Sequence, residues 1–336
     1  MTGQSAAVPS SLAVLETRAA GGDAVAMLTL GMELLVAGDN GRGRALLTQS
    51  AAAGEADALR QLALQDAAEA TDAAGWTSAF RYLARAAAAG HGLAQQELVF
   101  LAGDKAALLQ VEQGHALPPE AWDNFHAVID HARLLATPAP RQIMKAPAIH
   151  TVPGMVPAEV CDWIIARSRD RLVRAQVFNP VDGKARDTVM RTNRDTRYPR
   201  GELDMVQMVL LRRIGAVTGY DFAAMEPTSV LHYQVGEQFR QHFDYLDPGA
   251  YAQEVRDFGQ RVGTFLIYLN EEFDGGETLF PITSYRYKGR KGDALMFRNV
   301  KPDGTPDRLT LHAGTPPTRG EKWLFSQWIR ERPRRG

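Results

Sequence analysis

Two short stretches in the last third of the chain carry groups able to do chemistry: Gln241-His242-Phe243-Asp244 and Leu311-His312-Ala313-Gly314. Two imidazoles and one carboxylate form a donor set that suits a divalent iron and leaves coordination positions open. In a strand, residues i and i+2 project to one face, so His242 and Asp244 are expected to point the same way. His312 must then come from a second strand. A His-x-Asp triplet alone reads better as a structural histidine–carboxylate pair. Lys322 follows soon after, opening a segment in which Lys322, Leu324, Ser326, Trp328 and Arg330 share one face and Trp323, Phe325 and Ile329 the other. A lysine turned into a protein interior is costly unless paired, and a bound dicarboxylate would supply the partner. A lysine at a strand end that reaches solvent is the plainer reading.

Such groups need rigid elements to hold them. From residue 228 the sequence breaks into short runs separated by glycine and proline turns: 228–235, 239–245, 262–269, 277–280, 294–297, 308–313 and 322–330. That texture predicts a β-sandwich or barrel with helices packed outside. Upstream, helices are expected over 157–171 and 201–217, the second carrying an apolar stripe of Leu203, Val206, Leu210, Ile214 and Val217 and stopping at Gly219. A further helix is expected over 118–136, with Pro119 in its first turn and Trp122, Phe125, Ile129 and Ala132 on one face. Pro138, Pro140 and Pro147 mark a linker.

The first hundred residues are alanine-rich and carry a weak repeat. Gly22, Gly54 and Gly90 are each followed by alanine at Ala26, Ala58 and Ala94 and by leucine at Leu30, Leu62 and Leu98, a helical spacing. Gly54 and Gly90 also suit helix C-terminal caps. The repeat distance falls in the range of paired-helix solenoids. These positions resemble the Sel-like subclass of tetratricopeptide repeats over about residues 18–103, against the plainer alternative of a helical bundle without repeats.

Formal net charge is -1, which gives no global field toward nucleic acid or an acidic membrane. The lone Cys161 excludes an intrachain disulfide and fits a reducing compartment. No signal-peptide pattern or membrane-length apolar run is present, so a cytoplasmic location is expected.

Residues 147 to 332 resemble the catalytic domain of prolyl 4-hydroxylases and their bacterial relatives, among the iron(II)- and 2-oxoglutarate-dependent dioxygenases. The segments that carry the resemblance are 231–239 (LHYQVGEQF), 261–269 (RVGTFLIYL), 275–281 (GGETLFP), 292–297 (GDALMF), 311–314 (LHAG) and 320–323 (GEKW). The resemblance implies a double-stranded β-helix, or jelly roll, in which His242, Asp244 and His312 bind iron(II). It implies 2-oxoglutarate and O2 as cosubstrates, with ascorbate as an accessory reductant. Lys322 would pair with the distal carboxylate of 2-oxoglutarate, Tyr233 and Thr278 would hydrogen-bond it, and Tyr268 is a weaker candidate for that role. Trp328 matches an aromatic lining the active site, and Arg261 an arginine near the substrate.

Departures concern the substrate. The Arg-x-Ser pair of the family's flexible loop corresponds to Arg191-Thr192-Asn193, a tyrosine becomes Phe239, and a histidine becomes Arg330. With Arg191, Arg261 and Arg330 the pocket is expected to gain positive charge, which favours an acidic or carboxylate-bearing substrate. The plainer reading leaves Arg191, Arg194 and Arg197 on a solvated loop.

The expected fold class is therefore α+β: an α-helical repeat region over 1–137, a linker over 138–146, and a jelly-roll dioxygenase domain with flanking helices over 147–336. The leading function is hydroxylation of a prolyl or other residue in a protein or peptide, with the helical region recruiting a protein partner. The rivals are hydroxylation of a free amino acid or other small carboxylate-bearing metabolite, and a non-catalytic repeat-based binding protein with a vestigial barrel.

Overall fold

A computed structural model describes residues 11–179, 184–186 and 189–333. Two compact units emerge. One holds the helices up to Leu135 together with Asp204–Val209; the other holds Ala136–Leu203 and the chain from Leu210 onward. Among the described residues no helix is long and apolar enough to cross a membrane.

The helical unit contains α1 (Ser11–Ala20), α2 (Ala24–Val36), α3 (Asn40–Ala52), α4 (Ala56–Glu69), α5 (Ala73–Ala88), α6 (Gly92–Ala102), α7 (Lys105–Glu112), α8 (Glu120–Val128) and α9 (His131–Leu135). One device recurs where these helices meet. Gly54, at φ +92°, donates to Ala51 O while Glu55 N–H reaches back to Ser50 O, closing α3 as a Schellman motif. Gly22, Gly38, Gly90 and Gly103 close their helices with the same pair of bonds. The next residue then starts the following helix: Asp23, Asp39 and Asp104 accept from the N–H groups of Ala26, Arg42 and Ala107, and His91 Nδ1 accepts from Ala94 N–H. Ala26, Ala58 and Ala94 are buried, as are Leu30, Leu62 and Leu98.

A buried ion pair sits inside this unit. Arg60 donates to Glu97 at 2.6 Å, and Met205 N–H adds a contact at 3.4 Å. Burial pushes the Glu97 carboxyl up to about 7 despite the opposing pull of Arg60.

The second unit contains β1 (Arg141–Met144), β2 (Ile149–Val152), α10 (Ala158–Arg169), β3 (Val173–Arg174), β4 (Val177–Asn179), β5 (Lys184–Arg186), β6 (Arg194–Tyr198), most of α11 (Met205–Thr218), β7 (Thr228–Tyr233), β8 (Phe239–His242), α12 (Ala252–Phe258), β9 (Arg261–Tyr268), β10 (Asp274–Gly275), β11 (Thr278–Phe280), β12 (Tyr285–Tyr287), β13 (Ala294–Arg298), β14 (His312–Gly314), β15 (Pro317–Arg319) and β16 (Lys322–Arg330). An eight-stranded sheet runs β1-β2-β13-β9-β16-β7-β6-β3, and a four-stranded sheet runs β12-β11-β14-β8. All pairings in both are antiparallel. This is the α+β arrangement, with an antiparallel sheet region consistent with a jelly roll.

Several boundaries differ from expectation. The expected helix over 118–136 is broken into α8 and α9, because Ile129 turns extended and the Asp130 carboxylate caps a new start at Arg133 N–H. The stretch expected to be a linker contains β1, paired with β2 through Arg141↔Thr151. The helix expected from 201 starts at Met205, because Asp204 and Gln207 form a reciprocal capping box: Gln207 N–H reaches Asp204 Oδ1 at 2.8 Å and Asp204 N–H reaches Gln207 Oε1 at 3.0 Å. Arg308–Thr310 is a 3-10 turn capped by Asp307 rather than strand.

Because Arg60 and Glu97 share one buried site, removing only the cation is the severe change. Arg60→Met is expected to cost about 3 kcal/mol at pH 7.5 by chemical denaturation, a figure drawn from broken buried pairs. The loss should shrink at pH 5.5, where an orphaned Glu97 carboxyl is protonated and no longer a buried charge.

Candidate active site

His242 ends β8 and His312 opens β14, and the two are directly paired across the smaller sheet. Their rings lie 4.2 Å apart between centres. Asp244 is not in a strand as expected: β8 stops at His242 and Asp244 occupies a bend. The bend is pinned by the buried Gln260 amide, which accepts from Leu246 N–H at 2.6 Å and donates to Leu246 O at 2.8 Å. Asp244 thereby lies 3.5 Å from the Nε2 atom of each histidine. One ligand atom from each of the three residues lies within 4.8 Å of the others.

The protonation states favour a cation at this point. Each histidine Nδ1 faces a backbone carbonyl, Arg240 O at 2.8 Å and Thr310 O at 2.9 Å. A carbonyl can only accept, so Nδ1 carries the proton and Nε2 offers its lone pair. Burial, reinforced by His242, pushes His312 down to about 4 and leaves it neutral near pH 7. Burial alone would hinder ionisation of Asp244, but His312, His242 and a Thr264 hydrogen bond outweigh it and hold the carboxyl well below its usual range. Two imidazole lone pairs and a carboxylate converge in a dry place. That donor set fits iron(II) with open positions.

Lys322 begins β16 with its side chain fully buried. Among the described residues its Nζ has no hydrogen-bond partner, and it stands 5.1 Å from the ring centre of Tyr233 and 5.3 Å from that of Tyr268. Burial pushes the ammonium down to about 7, with only Glu277 pulling the other way. Tyr268 and Thr278 share a 2.9 Å hydroxyl contact, and Tyr268 also donates to Tyr287 O at 2.8 Å. An orphaned buried cation in this setting fits an anionic group such as the carboxylate of 2-oxoglutarate.

Comparisons with known proteins agree with this site. Residues 228–330 match the 2OG-Fe(II) oxygenase superfamily. Probable prolyl 4-hydroxylase 3 of Arabidopsis thaliana is 31% identical over 190 residues, covering 51% of this chain and 65% of that protein. Probable prolyl 4-hydroxylase 6 of the same plant is 31% identical over 211 residues, covering 57% of this chain and 72% of that protein. The chain belongs to the prolyl 4-hydroxylases of the 2OG-Fe(II) oxygenase superfamily. It spans less than two thirds of the length of the first two relatives, 65% and, for Arabidopsis prolyl 4-hydroxylase 5, 64%. A crystal structure of the viral collagen prolyl hydroxylase vCPH from Paramecium Bursaria Chlorella virus-1, a 2OG complex, aligns at 25% identity over 54% of this chain and 95% of that one, with a TM-score of 0.43.

Against the prolyl 4-hydroxylase pattern, the candidate residues separate into two groups. His242, Asp244, His312, Tyr233, Phe239, Arg191 and Trp328 line one cavity, with Ser229, Leu231, Leu266, Gly314, Leu324 and Ser326. Lys322, Tyr268, Thr278, Arg261 and Arg330 do not line it. Arg261 donates both edges of its guanidinium to Glu226, at 2.7 and 2.9 Å, and lies 3.8 Å from the Trp328 ring centre. Arg330 is fully buried, ion-paired to Glu226 and Glu254, and donates to Gly259 O at 2.9 Å. The expectation that these two arginines hold a substrate anion is thereby corrected. The pairing of β16 with β9 slips between Ile329 and Arg330, which ends the alternation that would have carried Arg330 onto the cavity wall.

Arg191 and Asn193 are not on a solvated loop; both are buried, whereas Arg194 and Arg197 are exposed. Arg191 donates to Asn193 Oδ1 at 3.1 Å and Asp195 Oδ2 at 2.9 Å, so Asn193 positions the arginine and does not reach the cavity. Two buried residues escaped sequence reasoning. Thr264 donates to Asp244 Oδ2 at 2.7 Å, and Asn299 Nδ2 donates to Thr264 at 3.0 Å. Thr264 carried a weak signal, since it shares a strand face with Tyr268; Asn299, between two arms of the β13–β14 connection, carried none.

Replacing His242, Asp244 or His312 by alanine is expected to abolish tight iron(II) binding, measured by equilibrium dialysis, without unfolding the chain. Thr264→Val should weaken iron(II) binding by roughly 10- to 100-fold, as losses of ligand-orienting hydrogen bonds do.

For Lys322 the sign follows from its lowered basicity. Only the protonated amine binds a carboxylate, so 2-oxoglutarate affinity should fall as pH rises from 7 to 9. Binding at pH 8 should take up about one proton, read by calorimetry in buffers of different ionisation enthalpy. Lys322→Ala should raise the 2-oxoglutarate requirement roughly ten- to a hundredfold, equivalent to about 1.4–3 kcal/mol, and erase the proton uptake.

Proposed function

We propose that this protein is an iron(II)- and 2-oxoglutarate-dependent dioxygenase that hydroxylates an unactivated C–H bond of a prolyl residue in a protein or peptide. The observation that carries the reading is the convergence of two imidazoles and a carboxylate in one cluster, with a buried lysine that has no hydrogen-bond partner among the described residues of the same domain. His242, Asp244 and His312 would hold the metal, and Lys322 the distal carboxylate of the cosubstrate, with Tyr233 and Thr278 nearby. Bound iron(II) and 2-oxoglutarate would supply the oxidising chemistry: dioxygen is consumed, one oxygen atom enters succinate as carbon dioxide leaves, and the other enters the substrate C–H bond.

The residues themselves do the positioning. The Nδ1–H bonds of both histidines lock their ring planes, and Thr264 orients Asp244. Leu231, Phe239, Leu266, Leu324 and Trp328 make most of the cavity wall apolar, with Ser229 and Ser326 as polar points. Such a wall suits a neutral aliphatic ring such as proline. With Arg261 and Arg330 paired to glutamates, the ground for preferring an acidic substrate falls away. The helical unit would recruit a protein substrate through Sel-like repeats, supported by the buried alanine and leucine positions and the recurrent glycine caps; solenoid surfaces commonly bind peptides.

The test is incubation of the full chain with iron(II), ascorbate, 2-oxoglutarate and a panel of proline-containing peptides. Succinate formation coupled to a 16-dalton gain on proline, absent in Asp244→Ala, is the expected result. Coupled turnover confined to small carboxylates would overturn the peptide assignment, and no succinate under any condition would overturn the enzyme assignment.

A further inference from the structure

The cavity contains an aromatic column that the proposed chemistry does not by itself require. Phe239 stacks on the His242 imidazole, with ring centres 3.5 Å apart and planes 10° from parallel. On Phe239 lies the Arg191 guanidinium, 4.8 Å from the ring centre. Arg191 and Phe239 are also paired as an isolated antiparallel bridge, and the backbone on either side is tied by Thr192 N–H to Gln238 O at 2.9 Å and Arg240 N–H to Met190 O at 2.8 Å. The guanidinium is fixed from behind by Asp195 and Asn193. The order from the β6 side to the metal cluster is therefore Asp195, Arg191, Phe239, His242.

We infer that Arg191 and Phe239 are positioning residues for the metal ligand His242, and that Arg191 is not a substrate-binding cation in this chain. The inference rests on His242, Asp244 and His312 being the metal centre. A histidine ligand has two soft degrees of freedom, its χ1 and χ2 torsions. The Nδ1–H bond to Arg240 O fixes one edge of the ring, and a flat neighbour on its face fixes the plane. Phe239 supplies that face. Phe239 alone is only partly buried and opens to the cavity, so it could swing away. A cation held over its outer face opposes that swing, because the ring's negative face attracts the guanidinium in a dry setting. Asp195 keeps the cation in place and neutralises it, which removes the penalty of a bare charge beside the metal. A guanidinium does this better than an ammonium, since a planar group can stack on a ring and fork to two acceptors at once.

The experiment reads metal binding with cobalt(II) alone as the probe, without cosubstrate or turnover, through the visible d–d spectrum. Arg191→Ala and Phe239→Leu should each weaken cobalt(II) binding by about tenfold and perturb the spectrum in the same sense. The double variant should be no worse than either single, because both remove one column. Phe239→Tyr keeps a ring and should recover most of the affinity; Arg191→Lys should recover little. Melting curves of the metal-free variants separate this from general unfolding, and Phe239→Tyr remains informative if Arg191→Ala does not fold. Unchanged cobalt(II) affinity and spectrum in Phe239→Leu and Arg191→Lys would overturn the inference. So would an Arg191→Lys effect confined to the KM for peptide. Failure of the unaltered protein to bind cobalt(II) would instead overturn the metal centre itself.

Discussion

A charge removed from water must find a counter-charge nearby or give the charge up. Most of the site follows from that constraint. Several ionisable side chains of the oxygenase unit are buried. Arg191 is answered by Asp195, Arg261 by Glu226, and Arg330 by Glu226 and Glu254. Lys322 makes no hydrogen bond among the described residues, and the His-Asp-His cluster turns two imidazoles and a carboxylate toward one point. The two sets have opposite needs, one for an anion and one for a metal. A metal with an anionic cosubstrate satisfies both.

The topology makes this arrangement economical. Strand β16 is central in the large sheet, flanked by β9 and β7, so one strand presents Lys322 at one end and Trp328 near the other, with Leu324 and Ser326 on the cavity wall between them. Tyr233 pairs directly with Lys322, and Thr264 pairs with Trp328. The small sheet brings the two histidines side by side by register alone. His242, His312 and Lys322 thus lie on sheet, where geometry is held by backbone hydrogen bonds, while Asp244 sits in the bend that follows β8.

Membership among the prolyl 4-hydroxylases implies iron(II) and 2-oxoglutarate, and the structure shows what surrounds the His-Asp-His cluster. Glu226 binds two arginines and so holds Arg261 over the Trp328 ring, 3.8 Å from its centre. Arg191 is tied down within its own strand neighbourhood, next to a phenylalanine that packs on a ligand. Positive charge that looked available for a substrate in the sequence is distributed among internal pairs, which leaves an apolar wall near the reacting centre.

What could be read from the linear chain were features with local or periodic signatures. The ligand triplet, the later histidine and Lys322 stand in order in short recognisable segments; the β-strands alternate; the glycines that end α3 and α5 precede a cap and a small residue. Alternation put Lys322 on one face with Leu324, Ser326 and Trp328, because pleating sends every second side chain to one side, but only the structure showed that this end of the strand is buried. Other features lay beyond that reach because they depend on partners far along the chain. Asp244 leaves its strand and is set by Gln260 and Thr264, not by the i, i+2 rule. Asn299 acts through Thr264, and nothing in its own neighbourhood signals a metal site. Arg330 should have faced the cavity by alternation, but a slip in register and two glutamates took it elsewhere. Residue types and spacing determined which groups could bind a metal and a diacid. Only the tertiary structure decided which charges remain unpaired, because pairing depends on distances between segments that sequence separation does not set.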